Sequence, residues 1–286
     1  MDINRNRAIL MTVAAAAFWS TGGLIIKLLP QDAFTILFYR SLYAAILFIF
    51  IFGKKLRLVN KISVISSLFY APLLILFVSA TKLTTAANAI FLQYTAPAFV
   101  LLLEPYFNKV KLTRINIFTV ILCFIGMCLF FVEQFSRPEN WLGIWLALLS
   151  GVVLAGLLIS QKMNHADYQP GAVFWGNLLV CLFTLPHVLQ VPAPTMEEHA
   201  YLLLLGFGQL GLGYALFVYG QKYLPALESS LIGMLEPILN PIWVYFGYGE
   251  YPGHWAVTGG VIIIGALILR MYWIETKEKP EPPLSV

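Results

Sequence analysis

Charged residues are scarce in this chain. Only 11% of its 286 residues are Asp, Glu, Lys or Arg, whereas 59% are hydrophobic and the mean hydropathy is +0.80. A soluble domain carries about 25% charged residues, so these proportions exclude a soluble globular protein and indicate an integral protein of the lipid bilayer. The net charge of +4 predicts no nucleic-acid partner, because charges in a membrane protein sort by side of the bilayer.

Motifs for nucleotide-driven or zinc-dependent chemistry are missing. The sequence has no G-x-x-x-x-G-K-[ST] phosphate loop and no H-E-x-x-H pair, so we expect neither ATP-driven pumping by this chain nor zinc hydrolysis. The three cysteines, Cys123, Cys128 and Cys181, lie within apolar runs and indicate neither a disulfide framework nor a metal site. The sequence therefore predicts no cofactor, no bound metal and no catalytic residue.

Long apolar runs dominate what is present. Ten runs, each long enough to cross a bilayer as a helix, lie at 8–29, 33–52, 62–81, 84–104, 114–132, 141–161, 170–189, 199–221, 226–247 and 253–273. With the N-terminus in the cytoplasm, only Lys27, Lys82 and Arg137 face outwards and Arg40 lies within the membrane, so the other Lys and Arg residues face inwards. The positive-inside rule therefore predicts an all-α protein of ten transmembrane helices with both termini cytoplasmic. The polar segment 275–286 is predicted to be a disordered tail.

One ionisable residue lies near the middle of the ninth run. At helical spacing Glu236 shares a face with Ser229, Gly233 and Asn240, and two prolines, Pro237 and Pro241, follow it. A carboxylate in mid-membrane costs about 2.5–3.5 kcal/mol, so it is expected to face protein or water, where a polar transport site is one interpretation. The alternative is a kinked, packed helix whose glutamate is hydrogen-bonded to a neighbour.

An internal repeat divides the runs into two groups of five. An offset of about 140 residues places 77–82 (FVSATK) on 217–222 (FVYGQK) and Pro97 on Pro237. The halves are 1–135 and 136–274. Because five is odd, the second half enters the membrane inverted relative to the first, which is typical of secondary transporters whose site lies near the midplane at the repeat interface.

Several short motifs, spread over residues 8–273, carry a family resemblance. They are FWSTG at 18–22, YRS at 39–41, AANA at 86–89 with Pro97, and LEP at 235–237 followed by GE at 249–250. With these, the chain resembles a bacterial EamA-type member of the drug/metabolite transporter superfamily. The resemblance implies a central cavity between the halves, a place in the bacterial inner membrane, and export. The halves differ at the site, since the counterparts of Glu236 and Gly233 are Ala96 and Gln93.

Further polar and aromatic side chains are candidates for the cavity. Arg40 is placed about 10 Å deep in the second span, where it could receive a carboxylate or hold helix ends together as a structural group. Deep aromatics, among them Trp19, Tyr94, Trp175, Tyr214 and Trp243, either line a pocket or simply pack. The glycines around Gln209 favour close helix packing and also suit a gating segment. The predicted substrate-binding residues are Trp19, Ser20, Asn88, Gln93, Tyr94, Tyr214, Gly233, Glu236, Asn240 and Trp243, with Arg40 and Glu236 as coupling or charge partners.

Together these features predict a secondary transporter that moves a small amphipathic metabolite, most reasonably an amino acid or a derivative, by alternating access of the two halves. A buried carboxyl is harder to ionise than one in water, which suits Glu236 for coupling to protons. Uptake or facilitated diffusion by the same fold is the first alternative, and a membrane-embedded lipid-modifying enzyme is the second. The functional unit is expected to be a monomer or a homodimer.

Overall fold

The computed structural model describes residues 3–108, 113–134, 141–221, 232–233 and 235–277. Within these ranges the chain is helical and contains no strand. The helices are α1 (Ile3–Ser20), α2 (Gly22–Leu28), α3 (Ala33–Phe52), α4 (Lys61–Leu83), α5 (Ala86–Gln93), α6 (Ala96–Asn108), α7 (Arg114–Gln134), α8 (Trp141–Lys162), α9 (Gln169–Val188), α10 (Met196–Leu203), α11 (Gly213–Gln221), α12 (Leu235–Tyr248) and α13 (His254–Lys277).

Seven helical stretches are long and apolar enough to cross a membrane: Arg5–Leu28, Ala33–Arg57, Lys61–Leu83, Ala86–Leu103, Trp141–Gln161, Gln169–Val188 and Met196–Phe217. Two shorter apolar helices, Arg114–Leu129 and His254–Arg270, accompany them. The prediction of an all-α, multi-pass membrane protein is thus confirmed, while the full number of ten spans stays a prediction.

Two predictions extend beyond the described residues. The ninth apolar run begins at residue 226, but 222–231 lie outside the described ranges, and so does Ser229. The tail was predicted from Glu275, whereas α13 continues to Lys277 and residues 278–286 are not described.

Polar residues just before the helices explain where the helices begin. The Asp32 carboxylate accepts hydrogen bonds from the backbone N–H groups of Phe34 and Thr35, at 2.8 and 3.1 Å, and so caps α3. The side chain of Asn60 accepts from Ser63 N at 2.8 Å and caps α4. These side chains satisfy N–H groups that have no partner within the helix.

The first and fourth apolar runs do not form continuous helices. The first is interrupted at Thr21, between α1 and α2, and the fourth at Tyr94 and Thr95, between α5 and α6. Nearby hydroxyls take up freed carbonyls: Thr21 Oγ1 donates to Phe18 O at 2.7 Å, and Thr95 Oγ1 donates to Leu92 O at 2.6 Å. A break at membrane depth is tolerated because the backbone groups are satisfied within the protein.

The eighth apolar run, predicted at 199–221, begins earlier, at Met196, and includes a π-helical segment at Leu204–Leu212. Its glycines lie against neighbouring helices: a Cβ at Gly206 would lie 2.8 Å from Arg40 O, and one at Gly211 would lie 2.6 Å from Leu47 Cδ2. The close-packing interpretation is therefore confirmed for Gly206 and Gly211, since a methyl group would not fit at either position.

The two halves of the chain interlock rather than stand side by side. The most extensive helix contacts pair α4 with α8 and α9, α3 with α9, α1 with α11, and α7 with α13, and each of these pairs joins the first half to the second. The apolar core likewise draws from both halves, from Ile36 and Phe48 to Leu202 and Ile263. Side chains from distant parts of the sequence therefore meet in the middle of the bundle.

Candidate functional site

The Glu236 carboxylate is held by a tyrosine from the other half of the chain. Tyr94 Oη donates to Glu236 Oε2 at 2.8 Å and lies 3.3 Å from the carbonyl oxygen of Gly233. Pro237 explains why that carbonyl is free, because a helix would normally direct the N–H of residue 237 to the carbonyl of residue 233, and proline has no N–H. Glu236 and Tyr94 are both partly buried.

The pair joins a break in one helix to the first described turn of another. Tyr94 lies at the break between α5 and α6, and Glu236 lies in the first turn of α12. No described atom lies within 4 Å of the position that a Cβ at Gly233 would occupy. Within the described part of the chain, space is therefore open beside Gly233, whose carbonyl the Tyr94 hydroxyl contacts.

Arg40 forms a second connection between the halves. Its Nη2 donates to Gln209 Oε1 at 2.7 Å, and Gln209 Nε2 donates to the backbone oxygen of Trp19 at 3.3 Å, next to the break at Thr21. Arg40 is 2% exposed and Gln209 5%. This chain of hydrogen bonds ties α3, the π-helical segment and the end of α1 together, in agreement with the structural interpretation of Arg40.

The guanidinium of Arg40 is nevertheless incompletely paired. Its Nε and Nη1 atoms are buried without a hydrogen-bond partner in the described part of the chain, and an unmade buried hydrogen bond costs about 1–3 kcal/mol. No hydrogen bond or ion pair joins Arg40 to Glu236 among the described residues, although their charges interact electrostatically. Arg40 thus keeps donors available for a further acceptor.

Two more contacts bring the break in the first span against α12. Trp243 Nε1 donates to Ser20 Oγ at 2.9 Å, and Asn240 packs so closely on Gly23 that a Cβ there would lie 2.9 Å from Asn240 Cγ. Asn240 is 1% exposed, and its Oδ1 has no hydrogen-bond partner in the described structure. Of the predicted site residues, Ser20, Asn240 and Trp243 are therefore placed together.

The remaining predicted site residues are Tyr214, Trp19, Gln93 and Asn88. Tyr214 packs on Phe48, with ring centroids 5.5 Å apart, and Trp19 packs on Phe217 at 5.0 Å. Gln93 is partly buried at the end of α5. Asn88 donates to Thr84 Oγ1 at 3.0 Å, so the structure gives it a local role at the start of α5.

Sequence reasoning did not assign Gln209, Tyr70 or Asn177 to the site. Asn177 Nδ2 donates to Tyr70 Oη at 3.3 Å, and Asn177 Oδ1 is buried without a partner in the described residues. The available signal was the presence of lone amides, Asn177 and Gln209, within otherwise apolar runs, since such groups require partners.

An ionic cluster lies at the end of the bundle that the positive-inside rule assigns to the outside. Lys27 Nζ lies 2.8 Å from Glu250 Oε2 and donates to Thr84 O at 2.7 Å, while Glu250 Oε1 accepts from Ala86 N at 2.6 Å. The Lys27 and Glu250 side chains are only 12% and 15% exposed. This outer cluster, Lys27 with Glu250, Thr84 and Ala86, fastens α2 and the start of α5 to the turn between α12 and α13.

The chain is similar to several known transporters. A transporter of Archaeoglobus fulgidus whose cargo is uncharacterised is 23% identical over 196 residues, which cover 68% of this chain and 70% of the relative. An S-adenosylmethionine uptake transporter of Rickettsia bellii is 22% identical over 250 residues, 84% of each chain. A solved crystal structure superimposes with a TM-score of 0.66 at 19% identity, covering 96% of this chain and 99% of the other, which shows a common fold.

The family comparison covers almost the whole protein. The model of the EamA-like transporter family matches twice, at residues 6–132 and at residues 141–272. The two matches agree closely with the halves proposed from the internal repeat. The chain belongs to the EamA-like transporter family.

Proposed function

We propose that this protein is a secondary transporter of the bacterial inner membrane that moves amino acids or amino-acid derivatives by alternating access, with export as the working direction. The observation that carries the proposal is the Glu236 carboxylate, which accepts a hydrogen bond from Tyr94 at the break between α5 and α6, inside an apolar bundle. In transporters, such interrupted helices bind substrate and coupling ions because their backbone groups are left free.

The proposed architecture has ten spans in two inverted halves, 1–135 and 136–274. The twofold family match supports the repeat. Contacts between connections support the ten-span topology: Lys27 meets Glu250 at the predicted outer end, whereas Lys55 meets Asp167 and Asn60 meets Asn164 at the predicted inner end. Each contact joins two segments that the ten-span topology puts on the same side.

The Tyr94 hydroxyl offers a way to couple protonation to structure. When Glu236 is ionised, the single hydroxyl proton is best donated to the carboxylate at 2.8 Å. When Glu236 is protonated, its own O–H can donate to Tyr94 Oη, and the tyrosine proton is then free to move to Gly233 O at 3.3 Å. Protonation would thereby tighten the contact between the Tyr94 hydroxyl and the carbonyl oxygen of Gly233.

Arg40 is proposed to receive the carboxylate of the cargo, while Glu236 receives its ammonium group. A guanidinium pairs well with carboxylates, and Arg40 Nε and Nη1 have no protein acceptor in the described residues. In the present conformation these atoms are buried against Gln209, so the cargo would reach them only as the helices around Arg40 separate.

The moving units in this proposal differ from the two sequence halves. Because the most extensive contacts join first-half to second-half helices, the halves cannot rock as separate bodies without breaking the core. We propose instead that α3, α4, α8 and α9 form one unit and that α1, α11 and α12 form another. The hydrogen bonds of Gln209 to Arg40 and Trp19 cross between these units.

The relatives favour the same cargo class and keep uptake open as a second direction. S-adenosylmethionine, named for the Rickettsia bellii relative, is itself an amino-acid derivative with an ammonium and a carboxylate group. The name of this relative also specifies uptake, so an importer of the same architecture is the second candidate. A lipid-modifying enzyme is disfavoured because the family members found are transporters.

The test is transport by purified protein in proteoliposomes. Labelled amino acids and S-adenosylmethionine would be offered with and without a pH gradient, to the wild type, Glu236→Gln and Tyr94→Phe. Tyr245→Phe is the matched control, since it removes a tyrosine hydroxyl whose hydrogen-bond partner among the described residues is Tyr251 Oη, at the surface. We expect gradient-dependent flux that is lost in Glu236→Gln, reduced about 10-fold or more in Tyr94→Phe, and retained in the control.

Two results would contradict parts of the proposal. Unchanged pH dependence in Glu236→Gln would remove proton coupling and leave facilitated diffusion. Absence of flux for every amino acid and for S-adenosylmethionine would refute the cargo class. Counterflow assays from either side then distinguish export from uptake.

A further inference from the structure

A groove of about 480 Å³ lies at the turn between α3 and α4, on the side that the positive-inside rule assigns to the cytoplasm. Its lining combines two cations, Lys54 and Arg57, with an apolar and aromatic wall that includes Ile49, Phe174 and Trp175. From this combination we propose that the groove binds one anionic phospholipid, whose phosphate pairs with Lys54 and Arg57 and whose acyl chain lies along the wall.

The backbone presents the two cations at the membrane surface. Gly53 has φ +48° and ends α3, and no described atom lies within 4 Å of the Cβ position there. The chain then forms a short 3₁₀ turn over Gly53–Arg57 that lies across the end of the helix. A residue with a side chain would be strained at that φ, so glycine is needed to turn Lys54 and Arg57 towards the groove.

Neither cation is neutralised by an acidic side chain in the described part of the chain. Lys54 and Arg57 are exposed and make no hydrogen bond or ion pair with any described residue, whereas Lys55 between them pairs with Asp167 on the far side. Two adjacent cations without a protein acid attract anionic lipid headgroups at the cytoplasmic leaflet. The positive charge of the groove therefore favours a negatively charged ligand.

The wall of the groove has the character of a lipid contact. Trp175 was expected deep in the bundle, but its Nε1 donates to Leu56 O at 3.2 Å, which fixes the ring beside the 3₁₀ turn with 44% of the residue exposed. Ile49, which lines the same groove, is 53% exposed. Tryptophan is enriched at the level of lipid headgroups, and exposed aliphatic side chains next to it suit an acyl chain rather than water.

The test measures lipid binding by the full-length protein in detergent. The thermal unfolding temperature would be followed during titration with phosphatidylglycerol, phosphatidylcholine or glycerol phosphate, for the wild type, Lys54→Gln/Arg57→Gln and the control Arg7→Gln/Lys61→Gln. The control removes two exposed cations from the same side, outside the groove. Each surface cation contributes about fivefold to binding of anionic lipid, so the groove variant should bind phosphatidylglycerol about 25-fold more weakly, and the control about as the wild type does.

The opposite results are equally defined. Equal affinities of the groove variant and the control would overturn the proposal, and so would equal binding of phosphatidylcholine by the wild type. Stabilisation by glycerol phosphate alone would show a phosphate site without a lipid. If the double variant does not fold, Lys54→Gln and Arg57→Gln taken singly give the same test, with a loss of about fivefold expected for each.

Discussion

The close approach of α2 to α12 yields a prediction whose magnitude follows from the geometry. Replacing Gly23 by alanine would place a methyl carbon 2.9 Å from both Cγ and Nδ2 of Asn240, closer than such atoms pack in proteins. Asn240 is 1% exposed and cannot swing into solvent to relieve the overlap. The helices must therefore separate, or the amide must adopt a strained rotamer.

The net cost is the difference between two opposing effects. Overpacking a well-packed interior destabilises a protein by about 1–3 kcal/mol. Alanine in place of glycine within a helix stabilises the helix by up to about 1 kcal/mol. We expect Gly23→Ala to lower the free energy of unfolding by about 1–2 kcal/mol. In thermal unfolding of the detergent-solubilised protein this corresponds to a decrease of about 2–8 °C.

Gly208 provides the matched control. A Cβ there would meet nothing closer than Phe18 Cδ1 at 3.8 Å, an ordinary contact, so Gly208→Ala should leave the unfolding temperature unchanged or slightly raised. Adding Asn240→Ala to Gly23→Ala should recover part of the loss, because the overlapping atoms are removed. Equal unfolding temperatures for Gly23→Ala and Gly208→Ala would refute the argument from close packing.

Two further predictions concern charged groups at the outer end. Burial raises the pKa of Asp32, but hydrogen bonds from Thr35 and His187 outweigh this effect and lower the pKa to about 2. The ionised carboxylate therefore stabilises the folded protein at pH values above 3.8, the pKa in the unfolded chain. This stabilisation is lost as the pH falls towards 2. Since the side chain is 47% exposed, this stabilisation is about 1 kcal/mol. Asp32→Asn should remove it, so the unfolding temperature of the variant should depend less on pH between 5 and 2 than that of the wild type. Lys27→Gln should destabilise the protein by about 1–3 kcal/mol, since it leaves the partly buried Glu250 carboxylate without its cationic partner. The control Lys61→Gln removes an exposed cation and should change the unfolding temperature little. Equal effects of the two substitutions would show that the outer cluster does not stabilise the fold.

Local pattern predicted much of the fold. The apolar runs correspond to helices over most of their lengths, and the helix starts at Ala33 and Lys61 follow capping residues visible in the sequence. The interruptions at Thr21 and at Tyr94–Thr95 were not predicted, because hydropathy averages over a whole run and hardly registers a local break. Pro97 and the paired glycines 22 and 23 were the only local signs.

The candidate site was only partly predictable. Glu236 stood out because a carboxylate within an apolar run requires a partner, and its contact with Tyr94 joins two residues that had both been selected. Whether Arg40 pairs with Glu236 could not be decided from sequence, and its observed partner is Gln209. Periodicity places a side chain on a face of its own helix, but the identity of the facing residue depends on how distant helices pack.

The hydrogen bond between Arg40 and Gln209 has a consequence for how the protein is made. The two residues are 169 positions apart, so Arg40 enters the membrane long before its partner is synthesised. During that interval the guanidinium must be held by water, lipid phosphate or the insertion machinery, at a cost of up to about 2.5–3.5 kcal/mol, the value for a charge at the helix centre. Synthesis of the eighth apolar run supplies Gln209 and lowers that cost, so the packing around Arg40 is completed only at this stage of translation.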